Sequence, residues 1–278
     1  MIDIVVIVGP TAVGKSEIAV KLAKKYDGEI VSADSRQVYK GLDIGTGKIT
    51  KKEMAGMPHH MLDIENPQKQ FSVVKYVRLS EKIIESIYKR GNLPIVCGGT
   101  GFYVNALVDG IILPDVPPNK KLREKMEKMS VEKLFNILNK LDKKRAGNID
   151  RNNKRRIIRA IEIAKTLGKV PSIKNSPQKY NPVFIGINMS KEKLKENIKI
   201  RLEKRIKQGM IEEANKLHDK GLSWKRMYEL GLEYRYLSLY LQNKITKEEM
   251  IRKLETEIWH YAKRQITWFK KDKRIKWI

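Results

Sequence analysis

The stretch that decides the fold is MIDIVVIVGPTAVGKS at residues 1–16. Residues 1–8 are rich in β-branched side chains and predict a buried strand, and residues 17–26 then have helical periodicity. Between them, residues 9–16 match the pattern G-x-x-x-x-G-K-[ST] in full. This order places backbone N–H groups at a helix N-terminus, where the helix dipole favours an anion. The stretch therefore predicts a phosphate-binding P-loop.

All eight residues of this loop are candidates for binding a diphosphate or a nucleotide: Gly9, Pro10, Thr11, Ala12, Val13, Gly14, Lys15 and Ser16. Lys15 is expected to neutralise the terminal phosphate, and the Ser16 hydroxyl is expected to hold Mg²⁺. The loop alone does not indicate which reaction the phosphate undergoes. Kinases and NTPases are the proteins that most often contain such a loop.

The segments around the loop predict an α/β fold with a P-loop NTPase-like parallel sheet, flanked by helices and carrying a helical insertion domain. Short strands are predicted at 29–33 and 93–97, with a helix at 72–90 between them. Prolines follow Leu113, and two charged helical stretches, 119–141 and 150–167, precede a strand at 183–187. Residues 1–112 plus 183–278 are thus expected to form the catalytic core, with 113–182 as the insertion. The core is predicted to end in helices at 190–209, 210–220, 226–242 and 246–270.

Charge is the informative part of the composition. Lysine and arginine number 58 against 32 acidic residues, a net charge of +26. Such an excess favours a polyanionic partner, usually nucleic acid, although a generally lysine-rich composition is the alternative. The lone cysteine, Cys97, and the lack of a long apolar run predict a cytoplasmic protein.

Asp34 lies at the end of the second predicted strand, which should direct it into the same crevice as the P-loop. A carboxylate there can bind Mg²⁺ or accept a proton from a nucleophile. The alternative is a helix cap in the sequence Ser32-Ala33-Asp34-Ser35. Near the C-terminus, residues 262–269 (AKRQITWF) mix cations with aromatics, which suits RNA but also an amphipathic helix. His59 and His60 are adjacent in an extended segment, so joint binding of a metal is disfavoured.

Taken together, these segments resemble the tRNA dimethylallyltransferase (tRNA isopentenyltransferase) family nearly end to end. The resemblance is carried by GPTAVGKS at 9–16, SADSRQVYKGLDIGTGK at 32–48, PHHMLDI at 58–64, GGTGFYVNAL at 98–107, RRIIRAIEI at 155–163 and AKRQITWF at 262–269. It implies transfer of a dimethylallyl group from its diphosphate to the adenosine 3′ of the anticodon, at tRNA position 37. Dimethylallyl diphosphate, the tRNA anticodon stem-loop and Mg²⁺ are the implied ligands, and a monomer is expected.

The resemblance also implies roles for individual residues. Thr11 matches a position close to the reacting centre, and Asp34 matches the catalytic aspartate. Lys15, the third catalytic candidate, is expected to stabilise the charge that develops on the departing diphosphate. The positions expected to contact tRNA are Asp34, Ser35, Arg36, Gln37, Thr100, Arg123, Arg155, Arg156 and Arg159. The basic insertion and C-terminal segment are expected to clamp the stem-loop, with the target base flipped into the crevice.

This chain departs from the family pattern at three places: Asn153, Leu232 and Ile258-Trp259. They leave open which of Arg226 and Arg235 assists departure of the diphosphate. A small-metabolite kinase is the alternative enzyme, and a nucleotide-dependent RNA-binding switch is the non-enzymatic one.

Overall fold

The computed structural model describes residues 1–172 and 174–278, which form two compact units. One unit contains residues 1–110 with 177–278, and the other contains residues 111–176. The strands are, in chain order, β1 (Ile2–Val8), β2 (Gly28–Ser32), β3 (His59–His60), β4 (Leu93–Cys97), β5 (Ile111–Ile112), β6 (Lys174–Asn175), β7 (Tyr180–Gly186) and β8 (Lys276–Trp277).

The helices of both units are α1 (Lys15–Lys25), α2 (Lys51–Met54), α3 (Val73–Lys89), α4 (Gly101–Val108), α5 (Lys120–Glu127), α6 (Val131–Leu141), α7 (Lys143–Gly147), α8 (Lys154–Leu167), α9 (Lys191–Lys207), α10 (Met210–Asp219), α11 (Trp224–Leu230), α12 (Leu232–Leu241) and α13 (Lys247–Phe269). Across the ranges that the structure describes, none of these helices combines the length and apolarity needed to cross a bilayer.

A six-stranded parallel sheet, ordered β3-β2-β4-β1-β7-β8, forms the centre of the larger unit. Successive side chains of a strand point to opposite faces, and here both faces are covered. Ile7 packs in a core that includes residues of α1, α9, α10, α12 and α13. Its neighbours Val6 and Val8 pack in a second core with α3 and α4. The predicted α/β fold with a parallel sheet flanked by helices is confirmed.

The order of the strands places three loops side by side. Because β2, β4 and β1 are adjacent and parallel, their carboxyl ends lie at one edge of the sheet. The segments that leave this edge are residues 9–14, 33–37 and 98–100. The predicted P-loop, Asp34 and Thr100 therefore lie together although up to 91 residues separate them in the sequence.

The smaller unit contains α5 to α8 and an antiparallel pair of β5 and β6. Its core includes Leu134, Leu138 and Ile157. The prediction of one helix over 119–141 is wrong, because Ser130 accepts a hydrogen bond from the Lys133 N–H and starts a new helix there.

Two other predicted elements have different bounds. The helix expected from residue 150 begins at Lys154, capped by Asn153, whose side chain accepts from the Arg156 N–H. The helix predicted over 226–242 is interrupted at Gly231, with φ 78° and ψ −173°, a conformation essentially restricted to glycine. Strand β7 begins at Tyr180, so residues 180–182, expected in the insertion, belong to the sheet.

A buried carboxylate joins elements of the sheet away from the P-loop. Glu29 is 4% exposed, and hydrogen bonds connect it to Arg90 (2.6 Å), His60 (2.6 Å) and Asn92 (2.8 Å). Burial alone would raise the pKa of Glu29, but these hydrogen bonds outweigh it and lower the pKa to about 2. His59 instead contacts the Met57 carbonyl at 2.8 Å. The two histidines therefore have different partners.

Candidate active site

The loop between β1 and α1 has the backbone of an anion cradle. Gly9 has φ +146°, and a Cβ at this position would lie 2.8 Å from the Ile187 carbonyl oxygen. Ala12 and Gly14 have φ 66° and 86°, and α1 begins at the next residue, Lys15. Residues with a left-handed backbone conformation, placed just before a helix, orient successive N–H groups toward one point. These N–H groups can bind a phosphate there.

The Lys15 side chain folds back onto the backbone of this loop. Its Nζ donates to the Pro10 carbonyl at 2.6 Å. Burial is the main cause that lowers the pKa of Lys15, to about 8, and the nearby Arg201 contributes in the same direction. The neighbouring Ser16 is exposed. An incoming anion that took the place of the carbonyl would also favour the charged form of Lys15.

Gln265, from α13, braces the cradle against the loop after β4. Its Oε1 accepts from the Thr11 N–H at 2.8 Å, and its Nε2 donates to the Gly99 carbonyl at 2.9 Å. Three residues further along, Trp268 donates from Nε1 to Asn105 Oδ1 at 2.7 Å. Residues of the C-terminal segment that were expected to grip RNA thus help to build the sheet-edge site.

The sequence contained a signal for Gln265 that its position in a basic–aromatic segment obscured. Six residues of α13 are buried at helical spacing: Met250, Leu254, Ile258, Ala262, Gln265 and Phe269. A neutral amide within an otherwise apolar buried stripe needs hydrogen-bond partners, which here are backbone groups of two loops.

Asp34 has two different carboxylate oxygens. Its Oδ1 accepts from the N–H groups of Arg36 (2.8 Å) and Gln37 (3.3 Å), so it caps the turn after β2. Its Oδ2 has no hydrogen bond to any residue that the structure describes. The residues directly after Asp34 form a turn and not a helix, so the helix-cap alternative is wrong: one oxygen caps this turn, and the other oxygen can accept a proton.

Thr100 connects this turn to the loop after β4. Its Oγ1 accepts from the Ser35 N–H at 3.1 Å, and its own N–H donates to the Ala33 carbonyl at 3.1 Å. The predicted set Asp34, Ser35, Arg36, Gln37 and Thr100 is thus assembled at one place.

Two arginines of α9, which the sequence did not single out, face the same region. Asn197, Arg201 and Arg205 are spaced four residues apart, so they share one face of the helix. Asn197 Nδ2 donates to the Ala12 carbonyl at 3.2 Å, which fixes this face against the cradle. Arg201 and Arg205 donate to the carbonyls of Gly47 and Gly45, each at 3.2 Å.

The charges of these arginines are compensated differently. Arg205 pairs with Glu233 at 3.2 Å, whereas Arg201 has no carboxylate within 4.0 Å among the described residues. Burial first, and then the charge of Arg205, lower the pKa of Arg201 to about 10. Arg201 therefore adds an uncompensated positive charge near Lys15, as a bound diphosphate requires.

The two arginines left open by the sequence have other partners. Arg226 donates to the carbonyls of Pro67 (2.8 Å) and Lys69 (2.7 Å) and to the Tyr39 hydroxyl (3.1 Å). Arg235 lies over the Tyr228 ring, 4.9 Å from its centroid. Arg201 is consequently a better candidate than Arg226 for contact with a diphosphate.

In the smaller unit, the buried Glu162 organises two of the four arginines predicted to contact tRNA. Arg123 donates to it at 3.0 and 2.7 Å, and Arg159 also forms an ion pair with it. Burial would raise the pKa of Glu162, but hydrogen bonds from these partners and the Asn119 N–H lower it. Arg155 and Arg156 are exposed.

A magnesium ion fits this site only with ligands from its substrate. No group of three His, Cys, Asp or Glu side chains converges as a metal site anywhere in residues 1–172 and 174–278. Ser16, at the first turn of α1, is exposed and can supply one oxygen. Mg²⁺ commonly has one or two protein ligands, with phosphate oxygens and water completing its octahedron.

The fold and this arrangement define an α/β P-loop protein with a carboxylate and two arginines beside its phosphate loop. The IPP transferase family model matches residues 37–272. The chain is 41% identical to the tRNA dimethylallyltransferase of Anoxybacillus flavithermus over 278 residues, which cover 99% of this chain and 89% of that protein. The enzyme of the same name from Caldanaerobacter subterraneus is 42% identical over 288 residues, covering 99% and 91%.

Comparison with solved structures indicates the same family. The tRNA isopentenylpyrophosphate transferase of Bacillus halodurans has a TM-score of 0.75 and 40% identity, covering 100% of this chain and 90% of that chain. A eukaryotic dimethylallyltransferase, described as acting on tRNA, has a TM-score of 0.78 and 26% identity, covering 97% and 70%. The chain belongs to the IPP transferase family, which confirms the resemblance and does not favour the kinase alternative.

Proposed function

We propose that this chain transfers the dimethylallyl group of dimethylallyl diphosphate to the exocyclic amine of the adenosine at tRNA position 37, next to the anticodon. The observation that carries this proposal is the free Oδ2 of Asp34 at the same sheet edge as the phosphate cradle. Relatives named tRNA dimethylallyltransferase, 41–42% identical, support alkyl transfer over phosphoryl transfer.

In this reaction the bond between the allylic carbon and the diphosphate oxygen breaks, and the diphosphate leaves with the electron pair. The cradle N–H groups, residues 9–16, would bind the diphosphate, with Lys15 released from the Pro10 carbonyl. Arg201, which has no carboxylate within 4.0 Å among the described residues, supplies positive charge, and Arg205 adds hydrogen-bond donors. Preorganised donors of this kind stabilise developing negative charge with little reorganisation. Thr11, whose N–H is held by Gln265, remains a proposed contact close to the reacting carbon.

The adenine amine is a poor nucleophile because its lone pair is delocalised into the ring. As the new carbon–nitrogen bond forms, the amine becomes acidic, and Asp34 Oδ2 takes its proton. The turn of Ser35, Arg36 and Gln37, tied to Thr100, would surround the flipped base.

Mg²⁺ is proposed to be held by Ser16 and the diphosphate oxygens. When bound, the ion neutralises charge on the leaving group. The chain's own contribution would be the Ser16 hydroxyl, which is exposed beside the cradle and would supply one oxygen ligand.

Contact with the tRNA backbone is proposed for the insertion. Arg155 and Arg156 are exposed and can meet phosphates directly. Contacts of Arg123 and Arg159 must use the N–H groups that Glu162 does not occupy. The net charge of +26 and the likeness to a eukaryotic enzyme that acts on tRNA support a polyanionic substrate. The cytoplasmic location and the monomeric state remain predictions.

A transfer assay tests the proposal. The chain is incubated with radiolabelled dimethylallyl diphosphate, Mg²⁺ and unmodified tRNA, and label entering the RNA supports the function. ATP turnover without RNA would instead support a kinase, and neither activity would support an RNA-binding switch.

A matched pair of variants tests the backbone contacts. Changing Arg155 and Arg156 together to alanine should weaken binding of an anticodon stem-loop. It should also reduce the log–log salt slope by a little under ~1 for each lost phosphate contact. Changing Arg123 to alanine should mainly lower the melting temperature, because it removes two of the hydrogen bonds to the buried Glu162 and leaves Arg159 as its only ion-pair partner among the described residues. An unchanged salt slope in the Arg155 and Arg156 double variant would refute the proposed phosphate contacts.

A further inference from the structure

The loop of residues 43–47 acts as a template for the two arginines of α9. The Gly45 carbonyl accepts from Arg205 and the Gly47 carbonyl from Arg201, each at 3.2 Å. Gln37, in the turn that Asp34 caps, also donates to the Gly47 carbonyl, at 3.4 Å. The loop therefore holds both guanidinium groups in place beside the cradle, together with Glu233, which pairs with Arg205.

This loop is held from outside by one carboxylate, that of Glu213 on α10. Glu213 accepts from three consecutive N–H groups, those of Asp43 (3.0 Å), Ile44 (2.7 Å) and Gly45 (3.0 Å). The Tyr234 hydroxyl donates to the same carboxylate at 2.6 Å. Four donors satisfy both oxygens, and charge-assisted hydrogen bonds of this type are the strong ones.

The lack of a side chain at Gly45 allows Tyr234 to approach the loop beside Glu213. A Cβ at Gly45 would lie 2.7 Å from Tyr234 Cζ and Oη, so only glycine admits the tyrosine beside Glu213. Lys48, which follows the loop, also holds its first residue, because Lys48 Nζ contacts Asp43 Oδ1 (2.5 Å) and the Tyr39 carbonyl (3.0 Å). Loss of Glu213 should thus loosen Ile44 and Gly45 without releasing the whole loop.

We propose that Glu213 is a positioning residue for the transfer reaction: through the loop of residues 43–47 it holds Arg201 and Arg205 against the diphosphate. This inference rests on the proposed function, since it needs a diphosphate at the cradle. Glu213 itself acts only through the backbone that it clamps. A shift of the guanidinium groups by about 1 Å would be enough to reduce the rate by as much as ~10²-fold.

The test compares Glu213→Gln with Glu212→Gln, its exposed neighbour, in which no bond to the loop is changed. Glutamine keeps the size but offers an N–H₂ group to N–H donors. Inhibition of transfer by inorganic diphosphate should weaken at least tenfold in Glu213→Gln and stay unchanged in the control. The Kd for an anticodon stem-loop should not change in either variant.

Two further variants separate positioning from folding. Tyr234→Phe keeps the ring against Gly45 and removes one of four donors, so it should shift diphosphate inhibition in the same direction by a smaller factor. Glu213→Ala leaves three aligned N–H groups, and added formate should restore part of its transfer rate and its diphosphate affinity. A lowered melting temperature with wild-type diphosphate inhibition in all three variants would overturn the inference.

Lys15→Ala distinguishes this failure from failure of the proposed function. If diphosphate inhibits Lys15→Ala as it does the wild type, the cradle is not the diphosphate site and the proposed function fails. If Lys15→Ala loses diphosphate inhibition while Glu213→Gln retains it in full, only the role of Glu213 is refuted.

Discussion

Gly47→Ala tests most directly whether the arginines of α9 serve the reaction. Gly47 has φ +60°, and a Cβ there would lie 1.7 Å from Arg205 Nη2 and 2.5 Å from Arg201 Nη2. The two guanidinium groups would have to retreat by about 1–2 Å to restore ordinary contact distances. They would thereby lose their alignment on the carbonyls of Gly45 and Gly47.

The expected magnitude follows from that displacement. Misplacing groups that contact a reacting centre by about 1 Å can cost ~10²-fold in rate. We therefore expect kcat/KM for dimethylallyl diphosphate to fall about 10²-fold in Gly47→Ala, which corresponds to ~2.7 kcal/mol of transition-state stabilisation. The left-handed backbone adds a separate folding cost of about 1–2 kcal/mol.

Gly56→Ala is the matched control. Gly56 also has a left-handed φ, +82°, but a Cβ there would have no atom within 4 Å. It should show the backbone cost in its melting temperature and keep wild-type transfer. The assay is steady-state incorporation of labelled dimethylallyl into tRNA, with stem-loop affinity measured in parallel. Equal kcat/KM values for the two variants would refute the role assigned to the arginines.

Three other changes have defined outcomes. Asp34→Asn keeps the acceptor that caps the turn but cannot take a proton, so single-turnover transfer should slow by ~10²-fold or more while both substrates still bind. Gln265→Ala removes the bridge between Thr11 and Gly99, and diphosphate inhibition should weaken about tenfold, as expected for lost buried hydrogen bonds; unchanged inhibition would make the bridge purely structural. Glu29→Gln should lower the free energy of unfolding by about 1.5–3 kcal/mol at pH 7, the usual scale for hydrogen bonds to a charged group, because the remaining partner Arg90 is half-exposed. Because the folded pKa of Glu29 is about 2 and its ordinary value is 4.5, this difference should be full above pH 4.5 and shrink as the pH falls toward 2; urea unfolding at several pH values measures it.

The parts of the site that the sequence predicted are those specified by local patterns. The P-loop needs only a strand, a glycine-rich turn and a helix in succession, and the location of Asp34 and Thr100 follows from strand ends in a parallel sheet. The sequence pattern did not predict two breaks between helices. The break at Gly231 depends on a backbone conformation, and the one at Ser130 on a cap within a continuous amphipathic pattern.

The contacts that the sequence did not predict join residues far apart in the chain. Arg201 meets Gly47 across 154 positions, and Gln265 meets Thr11 across 254. On its own helix Arg201 resembles an ordinary surface cation, whereas Gln265 is an amide in a buried apolar stripe whose partners the helix does not reveal. Only the tertiary arrangement gives them partners, so neither periodicity nor spacing could assign their roles.

The Gln265 bridge affects when, during synthesis of the chain, the phosphate loop becomes able to bind a diphosphate. Residues 9–16 are made well before residue 265, so the N–H of Thr11 gains its partner only after residue 265 has been made. Chains are made from the N-terminus at about 5–20 residues per second, so a nascent P-loop waits many seconds without that brace. A chain that has not yet reached residue 265 should therefore hold diphosphate poorly, because its phosphate loop lacks this hydrogen bond.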